Sequence, residues 1–343
     1  MSLSAALKSG DVTLLPGKRE EDWKWTDLRG LLRVLPGAAP ARDLTGLTAG
    51  PFDALAEQCH ILAPGQDSLT LEVPAGGKLS LALRILSSDG GAHRAQVTIH
   101  VGAGAKLRLL ESYEGDASPY VTHTALTLIL EAGAAVERIV LAEDGAEGVN
   151  VSQAQVTLAP GADYGQTVVT HGARRQRIET EVTHPGAGAR LRLDGLYLLA
   201  DKRHADLTTL VRHQGLDGTT DQLTKGVVRH QSRGIFQGRI VVEEGADRTE
   251  ARMAHNGLIL SDRAEIDAKP ELLIFADDVQ CAHGNTIGAL DEEALFYMRQ
   301  RGLPEADARA LLIEAFVGTV ADRIGFDAAR EMVRAWAADR LRT

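Results

Sequence analysis

Short turn segments return along most of this chain at a nearly constant spacing, and that rhythm restricts the fold more than anything else in the sequence. Pro74-Ala75-Gly76-Gly77, Gly102-Ala103-Gly104-Ala105, Ala132-Gly133-Ala134-Ala135, Pro160-Gly161-Ala162-Asp163 and Pro185-Gly186-Ala187-Gly188 carry the beat. Gln214-Gly215-Leu216-Asp217 and Glu244-Gly245-Ala246-Asp247 continue it. A period of about 25 to 30 residues is the mark of stacked units, each burying its apolar face against the next.

Between the turns, apolar and polar residues alternate, as in Lys78-Leu79-Ser80-Leu81-Ala82-Leu83-Arg84-Ile85 and Gln96-Val97-Thr98-Ile99-His100-Val101. Ala189-Arg190-Leu191-Arg192-Leu193 and Gly238-Arg239-Ile240-Val241-Val242 repeat the pattern. Period two means strands with one face inward. No helical period interrupts residues 60 to 283, which removes helical repeats and doubly wound folds. Propeller blades need about 40 residues or more, so a mainly β fold built as a parallel β-helix is expected. Eight turns at about 4.8 Å would make a rod of roughly 35 to 40 Å. Its ends would carry unpaired edges that invite association, and the sequence offers a helical cover for one end only.

That cover is expected after residue 286. Leu290 to Gly302 reads as a short helix with Asp291 as N-cap, early acids, late arginines and a closing glycine. A second helix starts near Pro304, with Leu311, Leu312, Ala315 and Phe316 on one stripe, and Asp327 begins a third bearing Met332, Val333 and Trp336. At the other end, Glu20 to Leu28 holds Trp23 and Trp25, whose indoles are expected to pin an N-terminal arm onto the body. The organisation expected is an arm over 1–59, a solenoid over 60–286 and a helical region over 287–343.

With 37 basic and 47 acidic residues the net charge is −10, which disfavours nucleic acid or an anionic membrane as a partner. Two cysteines, no signal-like start and no apolar run of about 18 residues lead us to expect a cytoplasmic protein. Phosphate loops, nucleophile elbows, His-Glu-x-x-His and CxxC pairs are all missing from the sequence.

One stretch carries metal chemistry: Asp278-Val279-Gln280-Cys281-Ala282-His283-Gly284-Asn285. On a strand, Cys281 and His283 share a face, and thiolate beside imidazole suits iron or zinc. Metal sites of this kind take four ligands, so two would come from elsewhere, and a structural cysteine beside a hydrogen-bonded histidine is the other reading. His204, His213, His230 and His255 read as solvated or hydrogen-bonded residues. A β-helix can also be a polysaccharide-cleaving enzyme, for which Asp201, Lys202, Arg203 and Asp206 are the candidates. The few aromatics speak against a sugar-stacking cleft.

The run from Lys269-Pro270-Glu271 through Cys281-Ala282-His283-Gly284 to Leu295-Phe296-Tyr297-Met298-Arg299-Gln300-Arg301-Gly302 strongly resembles the SufB/SufD family of iron–sulfur cluster assembly scaffolds. Lys225 to Ile240 and Asn256 to Ser261 resemble the same family, and the tryptophan arm and modest length resemble its SufD branch. The resemblance implies a right-handed parallel β-helix between helical ends, in a non-catalytic scaffold subunit. It implies a heterodimer with a SufB-like paralogue and docking of a SufC-like ABC ATPase through the C-terminal helices. Leu295, Phe296, Leu311, Leu312 and Phe316 are the expected contacts. His283, with Cys281 beside it, is implied to hold transient iron or a nascent iron–sulfur cluster at the heterodimer seam. Neither flavin association nor homodimer formation by the isolated chain is decided by the sequence.

Overall fold

A computed structural model describes residues 1–184 and 186–342. Pro185 of the fifth turn segment therefore lies outside the described residues. Among these residues, seventeen strands form two sheets in which every pairing is parallel. The nine-stranded sheet runs from Gln58–Leu62 to Val279–Gly288, the eight-stranded sheet from Ser68–Val73 to Glu265–Ile274. Consecutive strands alternate between the sheets, so the chain winds as a β-solenoid of about eight turns.

The ladder shows how the sequence rhythm becomes a stack. Lys78, Lys106, Ala135, Asp163, Arg190, Thr219, Glu250 and Gln280 lie one above another, at steps of 28, 29, 28, 27, 29, 31 and 30 residues. The turn segments that keep this spacing each hold a left-handed residue. Gly76, Gly104, Gly133, Gly161 and Gly188 have φ between 65° and 70°, where a side chain would be strained. Asp217 takes the same conformation at φ 58°, which aspartate tolerates better than most residues.

Inward side chains of both sheets meet in one long core, from Leu62 and Val73 through Leu109, Leu128, Val156 and Val168 to Phe236 and Met253. The core is not wholly apolar. Arg138 is fully buried and pairs with Glu111, equally buried, while its Nη1 donates to Gln166 at 2.7 Å.

The helices do not close the solenoid's end as the sequence suggested. Helices α1 (Leu3–Ser9), α2 (Leu28–Leu31), α3 (Glu292–Gln300), α4 (Glu305–Ala321) and α5 (Asp327–Arg342) follow in chain order. Helices α4 and α5 lie along the outer face of the nine-stranded sheet, where Ile313, Val317, Val320, Ile324 and Val333 cover Leu110, Ile139, Val169, Leu196, Leu198 and Val227. The physical reason is that this sheet is apolar on both faces, and the larger gain comes from covering a broad lateral face. Polar fastenings fix the same contact. Lys225 donates to the Phe316 carbonyl at 2.9 Å with its ammonium over the Phe316 ring, and Arg323 pairs with the buried Asp194 at 2.9 Å.

The N-terminal arm does what its tryptophans suggested, on the opposite sheet. Arg177 stacks on the Trp23 ring at 4.3 Å, donates to the Asp22 carbonyl and pairs with Asp206, which also accepts from the Thr26 hydroxyl. His204 Nε2 lies 3.1 Å from the Trp25 carbonyl. Farther along, Asp22 meets Arg239 at 3.1 Å and Glu21 meets Lys269 at 3.0 Å, so the strap reaches the last strand of the eight-stranded sheet. Helix α1 was not legible in the sequence. Its seven residues bury only Leu3 and Ala6, against Val121, Val149 and Val151, too short an amphipathic stretch to register.

Candidate functional site at the terminal rung

The C-terminal end of the solenoid presents two strand edges with no neighbour among the described residues. Val279–Gly288 pairs with Thr249–Ile259 alone, and Glu265–Ile274 pairs with Arg233–Val242 alone. In a parallel strand every second amide points to each side, so half the backbone groups of these strands are unpaired. Large apolar side chains lie exposed beside them: Leu273, Ile274, Phe275 at 65 % and Ile287 at 40 % exposure. Unpaired edges flanked by exposed apolar groups fit addition of further strands.

Cys281 and His283 sit on this last rung and share the inward face, as their spacing required. Their partners one rung down are Ala251 and Met253, both in the core. Cys281 packs against that core at half burial, whereas His283, two residues farther along the strand, is exposed. Burial pushes the Cys281 thiol up, and a backbone hydrogen bond from Ala251 opposes the shift. Metal binding there must therefore displace a proton held more tightly than usual. Among the described residues no group of three or more His, Cys, Asp or Glu side chains is placed to hold a metal ion. Cys281 and His283 are two potential donors on an open edge, short of the four ligands that such sites take.

The other sequence candidates separate clearly. His204, His213 and His255 are buried and hydrogen-bonded, and His230 is exposed beside Asp201 at 3.3 Å. Asp206 is fully buried in the Arg177 pair and Arg203 donates to the Asp144 and Gly172 carbonyls, so these two of the residues considered for polysaccharide cleavage are structural, while Asp201 and Lys202 are exposed. A surface groove of about 980 Å³ runs along the strand starts of the nine-stranded sheet. Charged residues such as Lys106, Arg108, Glu137, Asp163 and Arg192 line it, with no aromatic among its lining residues, unlike a sugar-stacking cleft.

The expected ATPase-docking residues divide too. Phe296 and Leu311 are exposed, at 61 % and 46 %, and Tyr297 beside them at 58 %. Leu295 is buried at 2 %, and Leu312 and Phe316 pack toward the solenoid, so the face of α4 is rotated from the stripe read in the sequence. The reason is the buried series Ala308, Ile313, Val317, Val320 and Ala321, whose small residues let the helix lie close to the sheet.

A residue missed in the sequence is Asn285, whose Oδ1 lies 2.7 Å from His255 Nδ1. Its signal was present: it stands four residues after Cys281 and therefore on the same face.

The chain thus forms a parallel β-solenoid with a strapped lateral face and an open terminal rung that carries Cys281 and His283. Residues 84–316 match the family described as SUF system FeS cluster assembly, SufBD core domain, and the chain belongs to that family. It is 25 % identical to the iron-sulfur cluster assembly protein SufD of Escherichia coli (strain K12), over 96 % of this chain and 90 % of that protein. It is likewise 25 % identical to an iron-sulfur cluster assembly SufBD family protein of Synechocystis sp., over 90 % of this chain and 84 % of that one. A SufBD family protein of Mycobacterium leprae is 26 % identical, over 94 % and 89 %. No helix among the described residues is long and apolar enough to cross a membrane.

Proposed function

We propose that this chain is a SufD-like scaffold subunit that pairs with a SufB-like paralogue along its terminal rung and helps to build iron–sulfur clusters at the seam. The observation that carries the reading is the open edge Val279–Gly288, which bears Cys281 and His283 on one face and lacks a complete ligand set. Iron and sulfide are the cargo. His283 offers an exposed imidazole, and Cys281 offers a thiol whose proton leaves as metal binds. The remaining ligands come from the paralogue's side of the seam. The chain has no catalytic role of its own, and we place the complex in the cytoplasm.

A SufC-like ABC ATPase docks on the C-terminal helices, with Phe296 and Leu311 at the contact and Leu295, Leu312 and Phe316 supporting the face from beneath. Helices α4 and α5 are fastened to the solenoid by the Lys225, Arg323 and Arg340 contacts. A pull on them is therefore passed to the sheet that ends in the terminal rung. Such coupling requires that the ATPase hold the helices differently in its two nucleotide states.

The test is His283→Ala in the co-expressed complex. His283 is exposed, so the variant should assemble with both partners and lose most of its cluster yield, read by absorbance and iron content. Undiminished yield would remove His283 from the site.

A further inference from the structure

Asn285 lies in the same inward row as Cys281 and His283, and its partner one rung down is His255, which is fully buried. His255 Nδ1 is 2.7 Å from Asn285 Oδ1, and His255 Nε2 is 2.8 Å from the Tyr197 hydroxyl. A carboxamide oxygen only accepts, so Nδ1 carries the hydrogen and donates it. In the neutral ring Nε2 is then bare, and the Tyr197 O–H donates to it. Phe236 lies parallel to the imidazole, 3° apart in plane with centroids 4.9 Å apart, and fixes the ring's orientation. The chain thus runs in one direction, from Tyr197 through His255 to Asn285.

The consequence falls on the outer end. Asn285 is exposed, its oxygen is held by a buried donor, and its Nδ2 has no hydrogen-bond partner among the described residues. With Oδ1 on His255 Nδ1, the two N–H donors of Asn285 lie on the side away from the buried histidine. Hydrogen bonds from N–H groups to anions are stronger than those between neutral groups, and donors aimed at cluster sulfurs stabilise the charge there.

We propose that Asn285 is a third functional side chain of the terminal rung, a hydrogen-bond donor to a sulfur anion held beside Cys281 and His283, with His255 and Tyr197 as its positioning residues. The proposal rests on the cluster-assembly reading above and assigns within it the group that steadies sulfide or thiolate rather than iron.

Asn285→Asp separates this role from a structural one, because it keeps the acceptor for His255 and the side-chain shape but replaces the N–H donors with oxygen. Asn285→Ala serves as the neutral comparison. The complexes are loaded anaerobically with ferrous iron and inorganic sulfide, and cluster decay and midpoint potential are followed. Both variants should assemble, lose cluster about tenfold faster than the parent, the scale on which groups that support a metal site act, and show a more negative potential. Tyr197→Phe should move both readouts the same way by a smaller amount. In the isolated chain, the nitrogen NMR shifts of His255 should show the hydrogen on Nδ1. Parental decay and potential in both Asn285 variants, beside a deficient His283→Ala, would overturn this proposal alone. A hydrogen on Nε2 would overturn it independently of any cluster. Full cluster yield from His283→Ala would instead bring down the reading beneath it.

Discussion

Replacing Arg138 by methionine is expected to lower the unfolding free energy by about 3–5 kcal/mol, the range for breaking one partner of a buried ion pair. Arg138 and Glu111 have no exposed side-chain surface, and the pair sits between the sheets with Gln166, Tyr164 and Tyr113 around it. Removing the guanidinium leaves a carboxylate in the core with one long hydrogen bond, from Tyr113 at 3.3 Å. The attraction it loses is what offset the cost of taking the carboxylate out of water, and that cost then stands alone. Glu111→Gln in the same chain should therefore recover a large part of the loss, since the remaining group is then neutral. Urea denaturation of the two single variants and the double variant measures the coupling. If the double variant is no more stable than Arg138→Met, the cost comes from lost packing and not from the stranded charge.

Acid should destabilise the solenoid through its interior histidines. Burial pulls His184 and His204 down to about 4 and His213 to about 3, from an ordinary value of 6.5, with the neighbouring His184 adding to the shift of His213. The rings of His184 and His213 meet edge to face at 4.0 Å, and both are fully buried. In the unfolded chain these groups take up protons as the pH falls through about 6.5, while the folded chain refuses them until about 4. The unfolded state binds more protons throughout that window, so stability falls with falling pH, by up to about 1.4 kcal/mol per pH unit for each histidine. Three such groups acting together rival the about 5–15 kcal/mol that holds an ordinary domain folded. The urea denaturation midpoint should therefore fall steadily from pH 7 to pH 4.5, and His184→Leu should make that fall shallower. A flat denaturation midpoint between pH 7 and pH 4.5 would show that these rings are protonated without cost.

The period of the turns made the solenoid legible because stacking forces every rung to nearly the same length. Gly76, Gly104, Gly133 and Gly161 each mark a left-handed residue in these turns. Cys281 and His283 were legible on the same ground, since strand alternation places both on one face whatever the surroundings. The seats of the helices were harder to read, for the covering surface is assembled from residues one rung apart. Leu110, Ile139, Val169, Leu196 and Val227 become a single apolar face only after winding. A signal did exist in runs such as Leu196-Tyr197-Leu198-Leu199, where apolar residues stand at both parities and so require burial on both sides. Glu111 and Arg138 stand 27 residues apart, and only the rung spacing brings them into contact. The Tyr197–His255–Asn285 chain spans three strands in the same way, so the contacts of Asn285 appear only after winding.

The central claim is that the strand Val279–Gly288 ends this chain's solenoid but not the assembly's. Hydrogen exchange on the backbone of residues 279–288, measured on the monomer and again in the complex with the SufB-like paralogue, tests it most directly. Rapid exchange in the monomer and at least about tenfold slower exchange in the complex, while the interior strand Thr219–Val228 stays slow in both, is the result predicted from an edge that gains a neighbour. Equal exchange of residues 279–288 in the two states would mean that the partner sits elsewhere and that no seam forms at Cys281 and His283.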